Sequence, residues 1–185
     1  MFCRLLEGSH DLVYFESNLH EDERGYFCER YNKEDFKKYV GSDLSLFQSN
    51  ESCSKINVLR GLHYQPNKPQ GKLVTVIKGI ALDIAVDLRV NSSTFGKWFS
   101  VKLDSLKKNS LWIPKGYAHG FLSLTDEMIF SYMVDNVYDP LSEETLLWND
   151  KSLSIEWGIE DPIVSIKDSN GLTFDQATKF QNVLK

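Results

Sequence analysis

From Leu73 to Val90 the chain reads LVTVIKGIALDIAVDLRV, a run of Val, Ile and Leu broken by Gly79. In its second half Leu82, Ile84, Val86 and Leu88 alternate with Asp83, Ala85 and Asp87. A period of two predicts a β-strand. An aspartate alternating in this way ordinarily faces solvent; in a barrel with a polar lumen it points at a ligand instead. KWFSVKL, SLWIP, HGFLSL and MIFSYMVDNVY continue the pattern in strand-sized pieces separated by turn residues. Helical spacing is scarce. NKEDFKKYVG is the clearest helix: Asn32 can cap it, Glu34 and Asp35 suit its first turn, Phe36, Tyr39 and Val40 form a stripe, and Gly41 ends it. TFDQATKFQNVLK is read as a second helix, with Ala177, Phe180 and Leu184 on one side. Many short strands and few helices predict an antiparallel sandwich or barrel. Without a linker, repeat or low-complexity tract, residues 1–185 read as a single domain.

Composition narrows the function. Of 185 residues, 42% are apolar or aromatic, enough for one well-packed core. The formal net charge of -5 argues against nucleic acid as the partner, although a local basic pocket for a small anion stays open. No apolar run has membrane-spanning length, and the N-terminus lacks the pattern of a signal peptide. Cys3, Cys28 and Cys53 are odd in number and form no CxxC, which fits reduced thiols and a cytoplasmic location.

Among four histidines, His63 in RGLHYQ and His119 in PKGYAHGF stand beside glycines in strand-like contexts. PKGYAHGF resembles the second motif of metal-binding cupin barrels. Those barrels also supply a His-x-His pair and a glutamate, and here Tyr64 and Gln65 follow His63. Two histidines do not fill a metal's coordination shell, so no metal is expected. A histidine without a metal is a candidate proton-transfer base. Its orienting carboxylate would be Asp83, Asp87 or Asp168, and the residues alone do not choose. Arg60, Lys72 and His119 are candidate anion-binding groups. Tyr132 is a candidate acid, or simply a core aromatic.

Taken in order, RGYFCERY, FQSNESCSKINVLRGLHYQ, QGKLVTVIKGIALDIAVDLR, STFGKWFSVKL, LWIPKGYAHGF, SYMV, WND and SIKD resemble the RmlC-type dTDP-4-dehydrorhamnose 3,5-epimerases over roughly residues 10–170. The resemblance implies a mainly β, cupin-type jelly-roll barrel with a few short peripheral helices, working as a homodimer without cofactor or metal. It implies a dTDP-linked 4-keto-6-deoxy sugar as substrate. His63 is then the base, Asp168 its orienting carboxylate, Lys72 the cation near O4 and Tyr132 the acid. Arg60 and His119 are expected near the diphosphate and sugar. Arg24, Phe27 and Glu29 are expected to reach the nucleotide across the dimer interface. Gln48, Asn50, Tyr138, Glu143 and Lys167 are expected as further contacts.

The chain departs from the family pattern at Val137, Glu144-Thr145 and Trp157-Gly158, away from the base, acid and lysine. The rival readings are a C3-only or C5-only epimerase of a related dTDP- or GDP-linked 4-keto sugar, a non-catalytic sugar-nucleotide-binding cupin, and a metal-dependent cupin enzyme. Arg60 and His63 are three apart, so on an ideal strand they face opposite sides. A bulge at Gly61 would bring both to one site.

Overall fold

A computed structural model describes residues 1–41 and 45–181. The chain forms β1 (Phe2–Leu5), β2 (Val13–Glu16), the hairpin β3 (His20–Asp22) and β4 (Gly25–Phe27), and helix α1 (Lys33–Val40). Then come β5 (Gln48–Ser54), β6 (Val58–Tyr64), β7 (Lys72–Lys78), β8 (Ile80–Asp87), β9 (Trp98–Asp104), β10 (Asn109–Ile113), β11 (Tyr117–Ser123) and β12 (Met128–Val134). Two short strands, β13 (Glu144–Thr145) and β14 (Ile163–Val164), and helix α2 (Ile166–Ser169) complete it.

The molecule is mainly β. One six-stranded sheet has the order β1-β2-β10-β7-β12-β5, and the second runs β13-β6-β11-β8-β9 with β14 attached to β6. All pairings within them are antiparallel except β14 with β6. Val74, Val76, Leu111 and Phe130 of the first sheet pack with Ala81, Ala85, Leu103 and Phe121 of the second. That core between the sheets is the main apolar layer.

β8 shows why its pattern was ambiguous. Ile84, Val86 and Leu88 face a second core, built with Leu146, Leu153, Trp157 and Phe180 from the chain's last third. Ala81 and Ala85 face the first sheet. Both faces are therefore buried, and Asp83 and Asp87 are 0% exposed. A solvent-facing role is excluded for both. Asp87 accepts hydrogen bonds from Arg89, Ser92 and Thr94, so its charge is paired.

Helix α1 ends where its caps place it. Asn32 Oδ1 accepts from the Glu34 and Asp35 N–H groups at 3.0 and 3.3 Å. Gly41, at φ 77°, closes the other end. Phe36 inserts between Phe15 and Trp112 on the outer face of the first sheet. Residues 173–181 do not form the second helix. Thr173 and Gln176 close a turn, and Phe180 then exchanges backbone hydrogen bonds with Leu88 and Val90. The backbone groups a helix would need are engaged in lateral pairing. Ala177 and Phe180 do share one buried side, whereas Leu184 lies outside the described residues.

All three cysteines are free. No helix among the described residues is long and apolar enough to cross a membrane.

Candidate active site

The site starts from a slip in register on β6. His119 pairs with His63, but Phe121 pairs with Arg60: Gly61 and Leu62 on β6 oppose the single Gly120 on β11. This is the bulge expected at Gly61. Gly61 has φ 109°, and the Gly61–Leu62 peptide is cis. A Cβ on Gly61 would lie 2.6 Å from Gly120 Cα, and one on Gly120 would lie 2.6 Å from the Arg60 carbonyl oxygen. The two backbones can approach so closely only because both residues are glycine. The slip turns Arg60 and His63 toward one cavity of about 380 Å³.

His63 is held by α2. Its Nε2 lies 2.6 Å from Asp168 Oδ1. Asp168 is buried, accepts the Gly61 N–H at 3.3 Å, and follows the capping hydroxyl of Ser165. Burial alone would raise the Asp168 pKa; hydrogen bonds from His63 and its neighbours hold it below the usual carboxylate range. On the other side of the ring, Nδ1 is 4.0 Å from Glu143 Oε1. Glu143 also accepts from the Tyr138 hydroxyl at 3.0 Å and pairs with Lys167. Burial opposes its ionisation, but Lys167 and His63 keep it lowered.

Lys72 opens β7 and is almost completely buried. Its Nζ donates to the His63 carbonyl at 3.1 Å. Desolvation lowers its pKa to about 8, against the opposing pull of Glu143 and Asp83. His119 Nε2 pairs with Asp83 at 2.8 Å. Burial lowers the His119 pKa, partly offset by Asp83. The second Asp83 oxygen is buried without a hydrogen-bond partner.

Tyr132 comes from the opposite sheet, where β12 pairs it with Val74 and Asn50. Burial raises its pKa, and Glu143 and Tyr138 push the same way. The hydroxyl therefore keeps its proton across the neutral range. Arg60 is anchored by Ser54 and the Cys53 carbonyl at 3.0 and 3.1 Å. One cavity thus holds a carboxylate-bound histidine on one sheet, a protonated tyrosine on the other and a buried ammonium near the histidine. That arrangement suits removal of a proton from one face of a tetrahedral carbon, which flattens as the proton leaves, and return of a proton to the other face.

A family model described as dTDP-4-dehydrorhamnose 3,5-epimerase matches residues 9–176. The chain belongs to this family. It is 46% identical over 171 residues to the dTDP-4-dehydrorhamnose 3,5-epimerase of Shigella flexneri, covering 92% of this chain and 94% of the relative. The crystal structure of the Legionella pneumophila epimerase RmlC, in complex with dTDP-4-keto-L-rhamnose, superposes with a TM-score of 0.93 at 34% identity, covering 99% of this chain and all of that one. ChmJ, a 3'-monoepimerase of Streptomyces bikiniensis solved with dTDP-quinovose, superposes at 0.87 with 31% identity, covering 94% of this chain and 88% of that one.

Of the residues expected from the epimerase resemblance, His63, Lys72, Tyr132, Arg60, His119, Gln48, Asn50, Tyr138, Glu143 and Lys167 all line the cavity, and Asp168 stands behind His63. Asp168, not Asp83 or Asp87, is the carboxylate on His63; Asp83 serves His119. Arg24, Phe27 and Glu29 do not line it. Arg24 pairs with Asp22, Glu29 accepts from Asn32, and Phe27 is 71% exposed on the β3–β4 hairpin. Glu51, Ser52, Gln70, Phe121 and Phe130 line the cavity without having been expected there. Phe121 and Phe130 stack at 4.0 Å as part of its floor. Only their place on alternating strands could have signalled it. Among the described residues, no group of three or more His, Cys, Asp or Glu side chains is disposed to hold a metal ion.

Proposed function

We propose that this chain catalyses 3,5-epimerisation of dTDP-4-dehydro-6-deoxy-D-glucose to dTDP-4-dehydro-L-rhamnose, with His63 as base and Tyr132 as acid. The ketone at C4 acidifies the hydrogens on C3 and C5. His63, oriented by Asp168, takes one of them; the electron pair moves onto O4 as an enolate. Lys72 stabilises that charge, which exists only along the reaction. Tyr132 then delivers a proton to the opposite face and the ketone re-forms. The chemistry calls for a base, an acid and a cation, and for no cofactor.

The observation that carries this reading is that His63 and Tyr132 reach one cavity from opposite sheets, with buried Lys72 beside the base. Arg60 and His119 are assigned to the diphosphate and sugar, and Gln48, Asn50, Tyr138, Glu143 and Lys167 to further nucleotide or sugar contacts. We assign Arg24, Phe27 and Glu29 to the nucleotide site of a second copy, in a homodimer of single-domain subunits in the cytoplasm. Arg24 and Phe27 are exposed on the hairpin and Glu29 is exposed just beyond it, all away from this chain's own cavity, which supports that assignment.

Likeness to a 3'-monoepimerase keeps a single-carbon reaction as the second reading. Proton NMR of the chain with dTDP-4-dehydro-6-deoxy-D-glucose in deuterium oxide separates the two. Exchange at both C3 and C5 supports double epimerisation; exchange at one carbon supports the second reading; a folded protein with no exchange overturns both for this substrate.

A further inference from the structure

Gln65 closes the stretch VLRGLHYQ and lies two residues beyond His63, yet it does not border the cavity. It is 3% exposed. Its amide nitrogen donates to the Lys68 carbonyl at 2.7 Å and to the Val137 carbonyl at 3.4 Å, and its oxygen accepts the Asp139 N–H at 2.9 Å. Between those two residues, the Tyr138 N–H donates to Gln48 Oε1 at 3.0 Å. Residues 137–139 lie in no strand. Three successive residues of this segment thus each have a backbone polar group held by a glutamine side chain in place of a ladder. One glutamine comes from β5 in the first sheet, and the other follows β6 in the second. Tyr138 in turn donates to Glu143, which faces His63 Nδ1.

We propose that Gln65 is a positioning residue that fixes Tyr138, and through it Glu143, at the wall of the site, so that it sets how tightly the cavity holds its nucleotide sugar. The proposal rests on the epimerase reading for the identity of the ligand. His63, Lys72 and Tyr132 are placed by strand pairing in β6, β7 and β12 and do not depend on this segment. Loss of Gln65 therefore weakens binding and leaves the chemical step largely intact.

The test is a double-mutant cycle of Gln65→Met with Tyr138→Ala, read by calorimetric affinity for dTDP and by the separate values of kcat and KM. Methionine keeps the length and packing but leaves the Asp139 N–H unpaired. The expected result is a roughly tenfold loss of dTDP affinity and a matching rise in KM. kcat stays within about threefold, and the second substitution has little further effect when Tyr138 is already absent. Equal losses in both backgrounds, or unchanged affinity despite a lower melting temperature, overturn the proposal. If the methionine variant does not fold, Gln65→Asn enters the same cycle; it keeps an uncharged amide but is one methylene too short to reach both the Lys68 carbonyl and the Asp139 N–H, and its affinity is expected to fall between wild type and full loss. Failure of the wild-type chain to epimerise would overturn the catalytic reading alone, because the dTDP cycle still decides the part of Gln65.

Discussion

His63 Nε2 and Asp168 Oδ1 stand 2.6 Å apart although 105 residues separate them in the chain. The contact fixes which ring nitrogen is available. With Nε2 bound to the carboxylate, Nδ1 is the nitrogen that looks toward Glu143 and the cavity. A carboxylate in that position also stabilises the imidazolium formed when a proton is taken up.

His63→Ala is expected to abolish both deuterium exchange and turnover. Affinity for dTDP should stay within a few-fold, because the nucleotide contacts are assigned to other side chains. A general base contributes about 10²–10⁴-fold. A variant that retained most of its turnover in a coupled spectrophotometric assay would take His63 out of the base role.

Tyr132→Phe removes one hydroxyl from the sheet opposite His63. Proton removal should continue while delivery to the far face slows. The ratio of solvent deuterium incorporated to product formed is then expected to rise. Equal slowing of both, measured by NMR on one sample, would assign Tyr132 to packing instead.

Burial lowers the Lys72 pKa to about 8, from an ordinary value of 10.5. The protonated form is the one that stabilises an enolate. That form predominates below about pH 8 and is lost as pH rises through that value, so kcat/KM should fall toward a tenfold loss per pH unit on the alkaline side. Lys72→Met should lower kcat by about 10²–10³-fold and remove that alkaline limb. Persistence of the same limb in the variant would assign it to another group.

Gly61→Ala would press a methyl group to 2.6 Å from Gly120 Cα at a φ of 109°. Overpacking and a forced positive φ together cost on the order of 3 kcal/mol, or roughly 6–12 °C in melting temperature for a chain of this size. Gly25→Ala is the control: φ there is also positive, at 121°, but no atom stands within 4 Å. Its loss of melting temperature should be clearly the smaller by calorimetry.

Local signals were legible wherever the residues themselves enforce the structure. Asn32 and Gly41 bound α1 because one supplies an acceptor and the other a left-handed turn. The spacing of Arg60 and His63 demanded an irregular strand, and β6 has one. What depends on contacts across the fold was not legible from local pattern. Asp83 and Asp87 look alike on β8, yet one pairs with His119 and the other with Arg89. The choice of Asp168 came from family resemblance, not spacing, because nothing local shows that α2 packs behind β6. The tail from Thr173 has helical composition, but Leu88 and Val90 capture its backbone at Phe180. Gln65 gave no signal beyond being a polar residue at the end of a strand.

Helix α2 is only four residues long, Ile166–Ser169, and it serves two sides of the site at once. Lys167 reaches Glu143 on the cavity wall, and its neighbour Asp168 reaches back to His63. A change in this turn that widened the wall would also tilt the base. The segment around Tyr138 meets His63 only by way of Glu143, so an engineer who reshapes the cavity wall there leaves the Asp168–His63 contact in place.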